Sequence, residues 1–421
     1  MDILPLVVGI VVIVVGILVS IALHEVGHMV PAKKFGVRVS EYMVGFGPTL
    51  WSRRKGETEY GLKAIPLGGY VRLVGMMPPA PAGRRPREGF FGQVIADARD
   101  ASVSEIRPGE EHRAFYRLST PKKLVVMLGG PVMNLVIAVV LLAVVFLAIG
   151  MPTATTTVAQ VGDDTAAASA GVESGDEVVA FDGEPVEDWN QLVGMINDAA
   201  GEPVPMVVER DGAQVTLTVT PTPAERPQTD ADGYPVLDAD GEPVLVDGAL
   251  LGVTSSVERQ ALPVSSVPEA IWLQTSETAK AIVSLPVRVY DAAYEAFTDA
   301  PRSQDSVMSV VGVGRAAVDT AGAEDYSVLA RVQLMLMLLA SLNVALFMFN
   351  LIPLLPLDGG HVANALYEGG RRTVARVRGH ALPGPADVAR MMPVAYVVFV
   401  LLIGVGAVLM VADLVDPVRL F

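Results

Sequence analysis

Cysteine is absent from this sequence of 421 residues, which excludes a disulfide framework and any metal site with thiolate ligands. Histidine is scarce, with five residues in all, so a metal ion would depend on these together with Asp and Glu. Charged residues make up only 18% of the chain, whereas 51% of the residues are hydrophobic and the mean hydropathy is +0.45. This balance is typical of a membrane protein, and we expect no nucleic-acid partner; the net charge of -15 is unevenly distributed along the chain.

Four apolar runs are long enough to cross a bilayer as helices: Ile3 to Leu23, Leu124 to Ile149, Val328 to Pro353 and Pro393 to Ala412. We therefore predict a polytopic α-helical membrane protein with about four transmembrane helices, at 1–30, 121–150, 326–353 and 393–415. The first run is not expected to be a cleavable signal peptide, because no basic segment precedes it and its apolar core is too long.

The distribution of basic residues predicts the orientation of these helices. Residues 24–123 hold 17 Lys and Arg against 10 Asp and Glu, whereas residues 151–327 hold 7 against 30. Because cytoplasmic loops are enriched in Lys and Arg, we place the first loop in the cytoplasm, together with the Arg-rich segment 354–392, which is predicted as a Leu-Asp-Gly motif and a cytoplasmic loop. The acidic segment then lies outside, and the chain is expected to be a multi-pass protein of the cytoplasmic membrane.

The first apolar run ends in the sequence His24-Glu25-Val26-Gly27-His28. Residues four apart lie on the same face of a helix, so His24 and His28 can bind one metal ion while Glu25 acts as a general base. The alternative is that these residues merely form the polar end of a membrane helix, since the pattern H-E-x-x-H also occurs by chance. Ionisable side chains are costly at a membrane, which favours the functional interpretation.

A catalytic zinc generally has three protein ligands, so a third must come from elsewhere in the chain. Asp358 is the only acidic residue between Val328 and Tyr367, and it follows the third apolar run on the side predicted to be cytoplasmic. An isolated carboxylate there is costly unless it is paired or binds a cation. The alternatives are an ion pair with Arg331 or a helix N-cap. His361 is a further candidate ligand, although packing beside the site suits it better.

The segment between the first two apolar runs divides into two parts. Residues 31–75 contain several glycines and partly alternating apolar residues, which predict a small β region that re-enters the membrane beside the helices. Residues 76–120 are rich in Pro, Gly and charge and are predicted to form an exposed cytoplasmic loop with a solvated His112. The basic cluster at 84–87 is either solvated or in contact with anionic lipid headgroups.

Outside the membrane, residues 154–256 predict a compact α+β domain. Asp182-Gly183 and Asp211-Gly212 are turn signals between short strand patterns, and Trp189 to Ala199 has helical spacing. This order resembles a PDZ domain, a fold that binds extended peptide ends by strand addition; a purely structural role is the alternative.

Three further segments complete the predicted organisation. Residues 221–246 are expected to form an acidic loop inserted in the PDZ-like domain. Residues 265–300 predict an amphipathic helix at the membrane interface, interrupted at Pro286. In the second apolar run, Gly129 and Gly130 allow close helix contact, and Asn134 is predicted to bridge two helices. His380 lies in a Pro- and Gly-rich loop and is expected to be solvated.

Taken together and in this order, the motifs make the chain similar to the site-2 protease family of intramembrane zinc metalloproteases. The branch it resembles has an extracytoplasmic PDZ domain and includes the regulator of sigma-E protease and its actinobacterial relatives. The motifs are His24-Glu25-x-x-His28, Gly45-Phe46-Gly47, Gly130-Pro131-x-x-Asn134 and Asn350-x-x-Pro353-x-x-x-Leu357-Asp358-Gly359. Some members of this branch have two PDZ domains, whereas one is visible here.

The resemblance implies a role for each matching residue. His24, His28 and Asp358 would bind one Zn2+ per chain, and Glu25 would be the general base. Asn350 would bind or orient the substrate, while Asn134 and Pro353 would pack helices near the site. The β region would pair with the substrate as an extended strand, with Gly45, Phe46, Gly47, Gly68 and Gly69 as the substrate-binding residues.

The resemblance also implies a metalloendopeptidase that cleaves transmembrane segments of single-span proteins after a first extracytoplasmic cut. Anti-sigma factors and signal-peptide remnants are the expected substrates; membrane lipid and a peptide C-terminus at the PDZ domain are the other expected partners. Two alternatives come from other classes. A zinc-binding transporter would not need Glu25, and a catalytically silent scaffold would only display the PDZ domain.

Overall fold

The computed structural model describes residues 3–80, 89–228, 236, 243–296, 298, 307, 309, 311–315, 318 and 327–415, with side chains described from residue 11 onward except 66 and 67. The basic cluster at 84–87 and most of the centre of the acidic insertion, residues 229–235 and 237–242, lie outside the described residues. The chain divides into two compact units: Met1–Ala148 with Pro263–Phe421, and Ile149–Leu262.

The first unit is mainly helical. Its principal helices, numbered in chain order, are α1 (Ile3–Lys34), α2 (Phe90–Ser104), α3 (Thr120–Ala143), α6 (Ser266–Ala296), α7 (Val328–Asn350), α8 (Asp358–Val377) and α9 (Met392–Val415). Among the described residues, four helical stretches are long and apolar enough to cross a membrane: Val11–Lys34, Thr120–Ile149, Val328–Asn350 and Val388–Val415. The prediction of four membrane helices is therefore confirmed.

Small and polar residues hold the membrane helices together. Gly27 of α1 and Gly129 of α3 lie backbone to backbone, because a Cβ added to either glycine would collide with the carbonyl of the other. Between α1 and α7, the buried amide of Asn343 donates to Ser20 Oγ at 3.0 Å. Close backbone approach and interhelical hydrogen bonds are the usual means of helix association in lipid, where apolar burial gives little driving force.

The loop predicted at 76–120 is largely ordered structure. The helix α2 occupies its centre, and Phe115 and Leu118 are buried against Val37 and Leu73. Phe115 also donates its backbone N–H to the Val74 carbonyl at 2.9 Å. Composition alone suggested a loop. The segment is ordered because Phe115 and Leu118, near its end, pack into the core of the first unit. His112 is exposed, as predicted.

Two other helices differ from their predicted form. The helix α6 continues through Pro286 rather than stopping there, and it packs against α3, α7 and α9. These contacts compensate for the backbone hydrogen bond that proline removes. The helix α8 begins at Asp358 within the segment predicted mainly as a loop, so Gly359 and Gly360 lie in its first turn. A position at the membrane interface for α6 stays a prediction.

The predicted β region consists of β1 (Val39–Lys55) and β2 (Thr58–Leu73), both long and irregular. Residues 41–44 pair with 59–62 on one side and with 69–72 on the other, and residues 51–55 pair with 58–62. The order across the sheet is therefore 51–55, 58–62, 41–44 and 69–72. This arrangement makes 69–72 an edge of the sheet. Entry of this region into the membrane stays a prediction.

The second unit contains β3 (Met151–Val161), α4 (Ala166–Ala170), β4 (Glu177–Phe181), β5 (Glu184–Pro185), α5 (Trp189–Asp198), β6 (Val204–Arg210), β7 (Ala213–Val219), β8 (Thr222–Pro227), β9 (Leu245–Leu250) and β10 (Val253–Gln260). The main sheet has the order β10-β3-β4-β6-β7, with β5 paired to β4. Phe181, Leu192 and Met206 are fully buried in its core. The flanks of the predicted acidic loop are not a loop, because β8 and β9 pair with each other.

The turns of this unit follow the sequence signals. Asp182 and Gly183 have φ values of 49° and 80°, and Asp211 and Gly212 have values of 52° and 77°. Asp-Gly accommodates two successive positive φ values, as tight hairpin turns require. The elements agree with the predicted α+β domain, whereas its assignment as a PDZ domain stays a prediction.

Candidate metal centre

Three predicted ligands from two distant helices converge at one point. His24 and His28 lie one turn apart on α1, and Asp358 lies in the first turn of α8. Asp358 Oδ2 is 3.3 Å from His24 Nε2 and 3.2 Å from His28 Nε2, and the two imidazole nitrogens are 3.2 Å apart. Since the N-cap of α8 is Leu357, Asp358 does not play the alternative N-cap role.

This triangle of donor atoms fits zinc. With bonds of about 2.0 Å to nitrogen and oxygen, two ligands of a tetrahedral zinc lie about 3.3 Å apart, which matches all three observed separations. Two imidazoles and a carboxylate form a donor set typical of catalytic zinc sites. Among the described residues, no other group of His, Asp or Glu has this geometry.

The orientation of His28 is fixed from α3. His28 Nδ1 donates to the Val126 backbone carbonyl at 2.8 Å in a buried hydrogen bond, which directs Nε2 at the site as the atom available to a metal. Gly130 supplies the space for both rings. A Cβ added at Gly130 would overlap His28 Nε2 and lie 2.7 Å from His24 Nε2.

Glu25 lies between the metal centre and the edge of the β sheet. Its side chain is buried, close enough to His24, His28 and Asp358 to interact electrostatically, and it accepts a hydrogen bond from the Val71 backbone. Gly69 permits this contact, since a Cβ there would lie 3.1 Å from Glu25 Cγ and 2.9 Å from the Met43 carbonyl oxygen. The sheet edge at 69–72 is thereby held against the carboxylate.

Neighbouring imidazoles favour an ionised Asp358, whereas burial favours a neutral His361. Burial opposes ionisation of Asp358, but the adjacent imidazoles of His24 and His28 outweigh it and hold the pKa of Asp358 below its usual range. Burial lowers the pKa of His361 to about 4, against the opposing influence of the Asp358 charge. His361 is therefore neutral near pH 7 and does not belong to the group of three ligands.

The other predicted site residues lie at varied positions. Asn134 is buried on α3, but its amide oxygen has no hydrogen-bond partner among the described residues, so the predicted bridge between helices is not seen. Asn350 is the last residue of α7 and is partly buried, and Pro353 is exposed in the turn that follows. His380 is exposed, as predicted.

The remaining glycines of the β region shape the sheet rather than touch the ligands. Gly45, Gly47 and Gly68 all have positive φ values, from 80° to 100°, which L residues rarely adopt. Phe46 is 45% exposed and stacks on Tyr70, with the ring centroids 6.2 Å apart. Of the five predicted substrate-binding residues in this region, Gly69 is the one in contact with Glu25.

Sequence reasoning missed the contacts that support the ligands. The Val126 carbonyl has no signature, because any residue supplies one. The buried pair between Lys123 and Glu368 joins α3 to α8 at 2.8 Å, and Glu368 lies within an Arg-rich segment that predicts a solvated loop. The Ser20 and Asn343 pair was detectable only as two polar residues inside apolar runs.

Comparison with known proteins agrees with this geometry. The family description "Peptidase family M50" matches residues 12–393. The zinc metalloprotease Rip1 of Mycobacterium tuberculosis H37Rv is 35% identical over 432 aligned residues, covering 98% of both chains. Rip1 of Mycolicibacterium smegmatis is 33% identical over 98% of this chain and 99% of its own. The metalloprotease MmpA of Caulobacter vibrioides is 28% identical over 83% of this chain and 84% of its own. The chain belongs to peptidase family M50, the site-2 protease family of membrane zinc metalloendopeptidases.

Proposed function

We propose that this zinc metalloendopeptidase cleaves transmembrane segments of single-span proteins, with His24, His28 and Asp358 as the zinc ligands and Glu25 as the general base. The observation that carries the proposal is the convergence of the three donor atoms at 3.2 to 3.3 Å beside a buried carboxylate. Zinc held by these three residues would supply a Lewis acid for the scissile carbonyl and would bring the pKa of its bound water to about 7.

Each residue then has a separate task. The Val126 carbonyl keeps the proton of His28 on Nδ1, so that Nε2 is the donor to the metal. Glu25 accepts a proton from the attacking water and returns it to the leaving amine, a role that contributes about 10²- to 10⁴-fold in rate. Its burial beside the sheet edge excludes bulk water from this carboxylate.

The sheet edge at 69–72 provides the means of holding the substrate. A transmembrane helix engages its own carbonyls in hydrogen bonds, so it must unwind before its peptide bond can be attacked. Backbone groups at an edge strand can pair with an extended segment. A substrate strand added at 69–72 would run past Glu25, because Val71 already donates to that carboxylate. Asn350, at the end of α7, is proposed to orient this strand.

The second unit is proposed to act as an extracytoplasmic PDZ filter that favours substrates whose ectodomain has been removed. Anti-sigma factors and signal-peptide remnants fit this requirement. The matched test is a chain lacking residues 156–220, which should cleave an untrimmed substrate that the full chain leaves intact. Unchanged dependence on prior trimming would contradict the filter.

The decisive experiment compares the full chain with Glu25→Gln on a transmembrane peptide in detergent, together with zinc content by mass spectrometry. We expect Glu25→Gln to retain one zinc and to cleave at least about 100-fold more slowly. His24→Ala and Asp358→Ala should lose both zinc and cleavage. Cleavage by Glu25→Gln at the rate of the unchanged chain would refute the assigned base. Zinc binding by the unchanged chain without any peptide cleavage would favour a zinc-binding transporter.

A further inference from the structure

Two adjoining cavities lie between α8 and the segment that leads into α9. Their volumes are about 790 Å³ and 450 Å³, and both are lined by Tyr367 and Arg371 of α8. Arg390 and Asn364 complete the larger cavity, and Arg378 lies in the smaller one. Nothing in the proposed proteolytic function uses these cavities, since the metal ligand of α8 is Asp358 at its first turn.

The arginines around these cavities exceed the carboxylates that face them. Glu368 is already paired with Lys123 at 2.8 Å and with Arg372 at 3.1 Å. Asp387 is already paired through both oxygens with Arg99, at 2.8 and 2.9 Å, and with Arg390 at 3.0 Å. Within the part of the chain that the structure describes, Arg371 and Arg378 have no carboxylate partner. The cavities therefore carry a net positive charge.

The cavities also lie at the boundary of a membrane-crossing segment. The candidate span that ends in α9 begins at Val388, directly beside Arg390 and Asp387. Two exposed aromatic side chains lie near the cavities in the chain: Tyr367, which lines both, is 63% exposed, and Tyr396, one turn into α9, is 51% exposed and contacts Phe90 of α2. Aromatic residues with Arg are typical of the headgroup region of a bilayer.

We propose that the two adjoining cavities together bind the phosphate of an anionic lipid headgroup. The planar guanidinium groups of Arg371, Arg378 and Arg390 suit bidentate contacts with phosphate oxygens. The acyl chains would lie along the lipid-facing side of α9, where Val394, Val397 and Val400 are each at least half exposed. A soluble phosphate would gain the guanidinium contacts but not the apolar contacts along α9.

The test is native mass spectrometry of the full zinc-loaded chain in detergent, with added phosphatidylglycerol or phosphatidylcholine. We expect retention of phosphatidylglycerol over phosphatidylcholine. The double variant Arg371→Gln/Arg390→Gln should weaken this retention about 25-fold, since each basic residue near a membrane surface contributes a factor of about 5. Arg378→Gln alone should weaken it about 5-fold. Zinc content reports that each variant retains its fold.

The matched control is Arg107→Gln. Arg107 is exposed, lies on the same predicted cytoplasmic side of the membrane and lines neither cavity. It should leave retention unchanged. Equal loss in Arg107→Gln and in the double variant would overturn the proposal, because the effect would then be one of overall charge. Displacement of the lipid by millimolar inorganic phosphate, with no preference between the two lipids, would overturn it in favour of a soluble phosphate compound.

Discussion

Lys123 and Glu368, 245 positions apart in the sequence, form a buried ion pair at 2.8 Å between α3 and α8. Glu368 also accepts from the Ala386 backbone N–H at 2.9 Å. The pair thus connects three segments: the helix with Val126 and Gly130, the helix with Asp358, and the segment before α9. The pair thereby helps to hold Asp358 opposite His24 and His28.

Removing one partner of this pair should cost more than removing both. Lys123→Met leaves the buried Glu368 carboxylate with Arg372, at 3.1 Å, as its remaining cation, and we expect the lost charged hydrogen bond to lower the free energy of unfolding by about 2 kcal/mol. The double variant Lys123→Met/Glu368→Leu should recover most of this loss, because it removes the buried carboxylate that has lost a partner. Thermal unfolding in detergent measures both values. A double variant less stable than Lys123→Met would contradict this explanation.

Gly130→Ala should empty the metal centre without changing any ligand. The added methyl group would occupy the space of His28 Nε2 and press on His24 Nε2, so we expect zinc affinity to fall about 10- to 100-fold. Competition with a chelator measures this affinity. Gly404→Ala on α9 is the matched control, because a Cβ there meets nothing within 4 Å. Equal zinc affinity in the two variants would contradict the role of Gly130.

Gly69→Ala should separate substrate positioning from metal binding. Its Cβ would crowd Ile21 of α1 and the Glu25 side chain, which moves the sheet edge away from the carboxylate. We expect peptide cleavage to fall about 100-fold, as for a misplacement of about 1 Å, while zinc content stays at one per chain. Gly370→Ala, with open space around it, serves as the control. Loss of zinc in Gly69→Ala would show that the change disturbs the ligands instead.

The second unit should lose stability in acid through Asp176. Arg210 donates to both oxygens of this buried carboxylate at 2.7 Å, and these hydrogen bonds hold the pKa of Asp176 below its ordinary value of 3.8. Since the pKa in the folded state is depressed, the contribution to stability is present above about pH 4 and is lost as the pH falls further. Hydrogen exchange of the backbone amides of β4 and β6, measured in the full chain as a function of pH, reports this contribution to stability.

The variant Asp176→Asn provides the comparison for this acid dependence. In this variant the backbone amides of β4 and β6 should exchange about tenfold faster near neutral pH. Their exchange rate should also depend less on acid, because the variant lacks the carboxylate that titrates. Acid dependence equal to that of the unchanged chain would assign the effect to another group.

The sequence predicts the parts of this protein that depend on local spacing or on apolar length. The H-E-x-x-H spacing places His24 and His28 on one helical face, and uninterrupted apolar runs specify the four membrane helices. The isolated charge of Asp358 after an apolar run indicates the third member of the group that converges with His24 and His28. In the second unit, the Asp-Gly turns locate two hairpins.

Features that depend on tertiary contact were not predictable in the same way. Gly130 was visible as a small residue that permits helix contact, but its clearance for two imidazoles requires the packing of α3 on α1. The prediction of a loop at 76–120 was based on charge and proline content. Neither property indicates that Phe115 is buried against residues elsewhere in the chain. The pairing of residues 41–44 with two different segments depends on bends in β1 and β2 that apolar alternation does not encode.

The hydrogen bond from His28 to Val126 has a consequence for how this centre tolerates substitution. Its acceptor belongs to the main chain, so replacing the valine by another residue leaves the acceptor in place, and the fully buried valine side chain is constrained by packing alone. A displacement of α3 along its own axis, by contrast, would withdraw the carbonyl and bring bulkier residues than glycine against the imidazoles. Bilayer thickness or a bound molecule that shifts this helix would therefore act on metal retention from a distance, with every ligand still present.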